Sequence, residues 1–214
     1  MKFMYAIIFS TLLEIAAAAD PNVPHPHQGI ITKFIDPGRA ELTLAEQAAL
    51  LSGQEVYKQT KHDNVERGTA IFDVAASQET VWQVITSFQQ YPKWIQEISG
   101  TEVYMSAGRN IYVDFTISVY MVNVQYYIKH DYQPEKSCMT WTLDYSRKSD
   151  LDDSAGYWLV YTSPTETGKT RVEYSIILRI GPLIPDFIET ILTDKGIENA
   201  TKWVKKNAEK HSDN

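Results

Sequence analysis

Cysteine is almost absent from this chain. Cys138 is the only one, so no intrachain disulfide can form and the fold must rest on its core. Positive charge is also short: 20 Lys and Arg against 27 Asp and Glu give a net charge of −7. No Lys/Arg cluster precedes the C-terminal end. A nucleic-acid binder needs a basic face to displace phosphate counterions, so that class is set aside. The same acidity disfavours adhesion to anionic lipid headgroups. Long apolar runs are scarce as well. The one of note, "FMYAIIFSTLL" near the N-terminus, is shorter than the roughly 20 residues a transmembrane helix needs. Lys2 stands before it, Ala17, Ala18 and Ala19 follow, and Glu14 is an unusual interruption. This is the layout of a secretory signal with a small-residue cleavage site. The reading is a signal peptide over residues 1–19 and an exported protein, periplasmic or secreted, with no stable membrane insertion after cleavage. The competing reading is an uncleaved N-terminal anchor.

Metal-ligand patterns are missing too. His25 and His27 in "HPHQ" have only Asp20 nearby, short of the three or four protein ligands of a zinc site. "KSDLDD" is acidic but lacks the Gly and distal Glu of a calcium loop. Cys138 has no paired His in its pattern and does not read as a nucleophile. No metal and no cofactor are expected.

What is present is the making of a core. Hydrophobic residues reach 43% and charged residues 22%, a globular composition, and 214 residues suffice for one domain with a substantial interior. Thirteen tyrosines and five tryptophans are a generous supply of groups that pack and hydrogen-bond at once.

Residues 20–41, starting "DPNVPHPHQG", carry Pro and Gly without an apolar period and read as a flexible arm. Residues 42–65 form an extension. Thr43 with Glu46 makes a capping box for a short helix that Gly53 stops, and "EVYKQTKH" alternates weakly as a strand. From residue 66 to 210 the pattern sharpens into one domain, leaving a tail at 211–214. "GTAIFDVAA" is a strand. Ser77 caps a helix carrying Val81, Val84, Ile85 and Phe88 on one face. Pro92 forces a break and opens a second short helix to about Glu97.

Strands alone follow. In "IYVDFTISV" Ile111, Val113, Phe115, Ile117 and Val119 alternate with mostly polar residues. The phase then flips to Val122, Val124, Tyr126 and Ile128, which predicts a tight turn at Tyr120–Met121. Met139, Trp141, Leu143 and Tyr145 share a face of the next strand. "YSRKSDLDDSAG" reads as a long polar loop. "YWLVYTS" and "TRVEYSIILRI" form a hairpin across "PTETGK". After "GPLIP" the period becomes helical from Asp186 to about Lys210, with Trp203, Val204 and Ala208 in a broad apolar stripe and Gly196 in mid-helix.

These elements predict an α+β protein: a curved antiparallel sheet of six or seven strands wrapped around a long C-terminal helix, with two short helices after the first strand of the domain. "GTAIFDVAASQETVWQVITSFQQYPKWIQEISGTEVY", the sheet run after it, and "GPLIPDFIETILTDKGIENATKWVKK" resemble the START-like (SRPBCC, helix-grip) superfamily. The likeness is greatest to coenzyme Q-binding START and polyketide cyclase/dehydrase-like proteins of the exported bacterial type. Its local mark is the capped Val-Trp helix followed by F-x-x-Y-P-x-W. The resemblance implies a deep cavity between the sheet and the C-terminal helix for an apolar or amphipathic small molecule, but no particular chemistry.

Tyr126, Tyr145, Tyr157, Tyr161 and Tyr174 are read as sharing the cavity face, with His130 and Tyr132. Trp141 and Phe115 join them from the apolar registers. Trp94, in the corner "YPKW", is placed near one mouth. Each is a candidate ligand contact, set against plain core packing. His130 is the sole candidate general acid/base, set against a solvated strand end. Asp114 and Asp144 fall on polar registers and are expected to be exposed. The favoured function is a monomeric, non-enzymatic binder or carrier of a lipid, quinone or polyketide-like molecule. The alternative is a cyclase/aromatase- or hydrolase-type enzyme using the same cavity, and a third is an adaptor for another exported protein.

Overall fold

A computed structural model of the chain describes residues 19–62, 65–119, 122–181, 184 and 196–212. Residues 1–18 of the expected signal segment therefore lie outside the described residues, as does the C-terminal helix pattern before Gly196. Described elements run in the order α1 (Leu44–Leu51), β1 (Val56–His62), β2 (Val65–Val74), α2 (Gln78–Thr86), a 3₁₀ turn (Phe88–Gln90) and α3 (Tyr91–Trp94). Then come β3 (Ile98–Ala107), β4 (Asn110–Val119), β5 (Val122–Gln133), β6 (Cys138–Leu143), β7 (Leu151–Thr162), β8 (Thr170–Ile180) and α4 (Gly196–Ser212).

All eight strands belong to one antiparallel sheet in the order β1-β2-β8-β7-β6-β5-β4-β3. The expectation was six or seven. The added strand is β1, the weakly alternating "EVYKQTKH" set outside the domain, which pairs along its whole length with β2. β7 adds no strand but begins earlier than expected, at Leu151, inside the run read as a loop.

Local chemistry explains the helix starts. Thr43 accepts the amide of Glu46 while the Glu46 carboxylate accepts the amide of Thr43, closing a reciprocal capping box. Ser77 accepts the amide of Thr80 at the head of α2. Gly108 takes φ 60° in the two-residue turn that lets Ala107 pair with Asn110. Val119 pairs with Val122, the flanking geometry of a tight turn; residues 120 and 121 lie outside the described set.

Helices α2 and α4 pack over the inner face of the sheet, with α4 against β2 and β8. Gly68 on β2 makes the approach possible: a Cβ there would stand 1.8 Å from Cδ1 of Ile197 on α4. The main core, from Phe72 and Val74 through Val81, Ile85, Val113, Met139, Leu143 and Val172 to Val204 and Ala208, lies in this layer.

The arm over residues 20–41 departs most from expectation. It lies as a strap across the outer face of the sheet. Asp20 bridges Lys148 through paired backbone hydrogen bonds. His25 is buried: it accepts the amide of Ser149 at Nδ1 (3.2 Å), so its Nε2–H donates to the Asp152 carbonyl (2.9 Å). Ile31 is buried against Ala155 and Ile177. The Ile31 amide donates to Asp153 (2.7 Å) and the Ala40 amide to Glu173 (3.0 Å). A segment with no hydrophobic period is thus held mainly by polar anchors.

Candidate functional site

Between the inner face and α4 the structure encloses a cavity of about 160 Å³. Alternate residues of β4, β5, β6, β7 and β8 form its walls: Phe115 and Ile117; Tyr126, Ile128 and His130; Trp141; Ser154 and Trp158; Tyr174, Ile176 and Leu178. Phe88, Tyr91 and Ile95 close it from the helical corner and Trp203 from α4.

The aromatic walls are ordered against one another. Phe115 stacks on Tyr126 with ring centroids 5.4 Å apart and planes 11° from parallel. Trp141 stacks on Tyr174 at 5.7 Å and 21°, and Trp158 meets Tyr174 at 4.4 Å. Gly156 makes room for this arrangement. It pairs with Trp141 across β6 and β7, and a Cβ there would lie 2.1 Å from the indole ring and 2.4 Å from the Ser175 carbonyl.

Polar groups in this apolar setting are few. His130 is buried, with its ring 4.7 Å from Phe88. Its Nδ1–H donates to the Ile111 carbonyl at 3.3 Å, which leaves the lone pair on Nε2. Burial penalises the imidazolium and pushes its pKa down to about 3, against a smaller opposing effect of the Ile111 hydrogen bond. The ring is therefore neutral at any ordinary pH. Burial likewise raises the Tyr126 and Tyr174 phenols, and at Tyr126 the nearby Tyr174 adds to the rise. Neither hydroxyl has a hydrogen-bond partner among the described residues. Tyr91, by contrast, donates to the Ile85 carbonyl at 2.5 Å. Half-buried Glu97 is the one charged side chain among the described lining residues.

The residues singled out from sequence separate into groups. Phe115, Tyr126, Trp141, Tyr174 and His130 meet on the cavity wall. Trp94 stands one layer back, stacked on Trp203 at 5.7 Å. Tyr132 lies further along β5 against Trp82. Tyr157 and Tyr161 are on the opposite face, under the strap. Tyr157 meets Phe34 edge to face at 5.0 Å and accepts from Arg67. Tyr161 donates to Glu173 at 2.6 Å beneath the Arg39 guanidinium. Tyr145 packs against the main core outside the cavity lining and sends its hydroxyl to Asp153 at 2.9 Å. For Tyr157 and Tyr161 the cause is a phase error of one residue on β7, where Trp158, not its neighbours, faces inward; Tyr145 lies past the end of β6 at Leu143, where strand alternation no longer applies. Among the wall aromatics, Phe88, Tyr91, Trp158 and Trp203 are outside the candidate set, as are the aliphatic wall residues. Helical spacing had marked Phe88 and Trp203 as inward-facing, but no such signal marks Trp158.

Two more expectations change. Asp144 is buried, accepting from the Tyr104 hydroxyl (2.7 Å) and from Ser146. Asp114 is half-buried, accepts from Gln125 (2.8 Å), and has its carboxyl raised mainly by burial. Cys138 is buried, and its thiol is pushed up to about 11, chiefly by that burial, so it is no nucleophile. Among the described residues no group of three His, Cys, Asp or Glu side chains is placed to hold a metal, and no helix is long and apolar enough to cross a membrane.

An eight-stranded antiparallel sheet curved about a C-terminal helix, with a hollow between them, defines a START-like, helix-grip protein. Within that class the chain belongs to the family of polyketide cyclase / dehydrase and lipid transport proteins, whose sequence pattern matches residues 67–209. Solved structures share the fold. The Zhui aromatase/cyclase from Streptomyces sp. R1128 is 15% identical, with a TM-score of 0.57 over 67% of this chain and 93% of that one. A START superfamily protein from Mycobacterium smegmatis is 16% identical, with a TM-score of 0.54 over 67% and 97%. A STAR-related lipid transfer protein from Xanthomonas axonopodis is 11% identical, with a TM-score of 0.55 over 71% and 98%. No curated protein matches the chain by sequence.

Proposed function

We propose that this protein is an exported, monomeric carrier or binding protein for a hydrophobic or amphipathic small molecule held between the sheet and α4. The observation that carries this reading is the cavity itself. A hollow in a packed interior forfeits dispersion contacts along its whole lining, and this one keeps polar side chains on an otherwise apolar wall. That is the make-up of a ligand site. Family membership and the lipid-transfer neighbour support the same reading. Native mass spectrometry of gently purified protein tests it, with organic extraction of whatever is carried. A bound small molecule that competes with an added hydrophobic probe is the expected result. Protein that carries nothing and takes up no probe defeats it. The N-terminal segment supports export, which is checked by sequencing the N-terminus of the mature protein; a new terminus after Ala19 in an extracytoplasmic fraction is expected.

One observation favours an enzyme of the cyclase/aromatase type: His130 and Tyr126 face the same cavity, a lone pair and a phenol for moving a proton. The low basicity of His130 weighs against it, since a general base works best with a pKa near the operating pH. Ring closure of a poly-β-ketone chain by the wild-type protein, lost in His130→Gln, would establish the enzyme reading.

A further inference from the structure

Resting on the binding reading above, we infer that the ligand is a flat, uncharged, single-ring aromatic with a hydroxyl donor at one end and a carbonyl-type acceptor at the other. Size comes first. A cavity of about 160 Å³ is below the roughly 300–1,000 Å³ of ordinary ligand pockets and close to the about 150 Å³ hollow that accepts benzene in an apolar core. A long acyl chain or a multi-ring molecule does not fit within it whole. Shape comes second. The stacked pairs Phe115–Tyr126 and Trp141–Tyr174 present flat π surfaces, which select a flat partner.

Charge and polarity complete the description. His130 is neutral and half-buried Glu97 is the one charged lining side chain among the described residues. An anion would enter without a counter-charge and against a carboxylate. His130 Nε2 can only accept a hydrogen bond, so it calls for a ligand hydroxyl. The Tyr126 and Tyr174 hydroxyls, with no described partner, can donate to a ligand oxygen. Tyr126 and His130 lie on the same face of β5 and both pack against Phe115, so one wall of the cavity offers a ligand both a donor and an acceptor.

The test is a titration of the full chain at neutral pH, read by quenching of the wall tryptophans, with para-hydroxyacetophenone, acetophenone, para-hydroxybenzoate and hexanoate. The hydroxyketone should bind tightest. Acetophenone should be weaker by about three- to tenfold, the value of one hydrogen bond, and the two carboxylates weaker by about tenfold or more. Glu97→Gln should narrow the carboxylate gap. His130→Phe should erase the difference between the two ketones, and Tyr174→Phe should weaken both ketones equally, which keeps the test decisive if one variant folds poorly. Carboxylates binding as tightly as the hydroxyketone, equal affinity for the two ketones, or a long lipid co-purifying while the panel fails would each overturn the ligand class and leave the binding function standing. Failure of the panel with nothing co-purified would overturn both.

Discussion

Strands β7 and β8 present two faces that handle polar groups in opposite ways. On their outer face the buried charges of Arg171, Glu173 and Asp153 are answered. Arg171 is held bidentately by Asp73, with both N···O distances 2.7 Å, and is also bonded to Thr165 at 2.9 Å. Glu173 accepts from Tyr161 and from the strap, and Asp153 accepts from Tyr145 and from the strap. On the inner face Trp158 and Tyr174 border open space, and the Tyr174 hydroxyl has no described partner. Buried polar groups without partners are costly. On β7 and β8 their settlement on one face and persistence on the other sets a structural side against a binding side, whereas further along the outer face Tyr127 Oη and Asp114 Oδ1 stay without a partner among the described residues.

The comparison is broken most severely at Arg171. Arg171→Ala leaves the Asp73 carboxylate buried and alone, with an expected loss of about 3–5 kcal/mol in denaturant unfolding. If the two faces are separate in function, ligand affinity of the folded fraction is unchanged. Acid sharpens it next. His130 has a folded pKa of about 3 against an ordinary 6.5. As pH falls from 6.5 towards 3 the unfolded chain takes up a proton that the folded one refuses, so the native state loses stability by up to about 1.4 kcal/mol per pH unit. His130→Gln should flatten that part of the stability–pH curve; an unchanged slope would mean that water reaches the ring. Gly156→Ala drives a methyl group into Trp141 and the Ser175 carbonyl. It should cost roughly 1–3 kcal/mol by overpacking and, unlike Arg171→Ala, change the tryptophan fluorescence of the cavity. The smallest effect is a matched pair. Tyr161→Phe on the outer face should lose about 1–2 kcal/mol by stripping a donor from Glu173. Tyr174→Phe on the inner face should stay within about 0.5 kcal/mol. Equal losses from the two would erase the distinction.

The same division explains what could be read from sequence. On β4 one face is core and the other partly exposed, so Val113, Phe115 and Ile117 are buried between partly exposed neighbours and the alternation is plain. The helix caps at Thr43 and Ser77 were legible because they depend on a few adjacent residues. On β7 both faces are buried along nearly the whole strand, so "YWLVY" carries no alternation to set its phase, and Tyr157 and Tyr161 were assigned to the wrong side. The start of β7 was hidden for the same reason. Asp152, Asp153 and Ser154 read as loop until the strap supplies Asp153 with donors. The strap had no readable period, because Pro and Gly shape it and side chains more than a hundred residues away anchor it. Where burial came from neighbours in sequence it could be seen; where it came from a distant segment it could not.

The strap also has a consequence for the order of assembly. Its anchors join Ile31 to Asp153, 122 residues apart, and Ala40 to Glu173, 133 apart. Long loops must close before such contacts contribute anything, and contacts at this separation slow folding. Made early in synthesis, residues 20–41 have nothing to dock on until β7 and β8 have emerged. Residues 20–41 are thus among the last to find their place, and the outer face is sealed only after nearly the whole sheet exists.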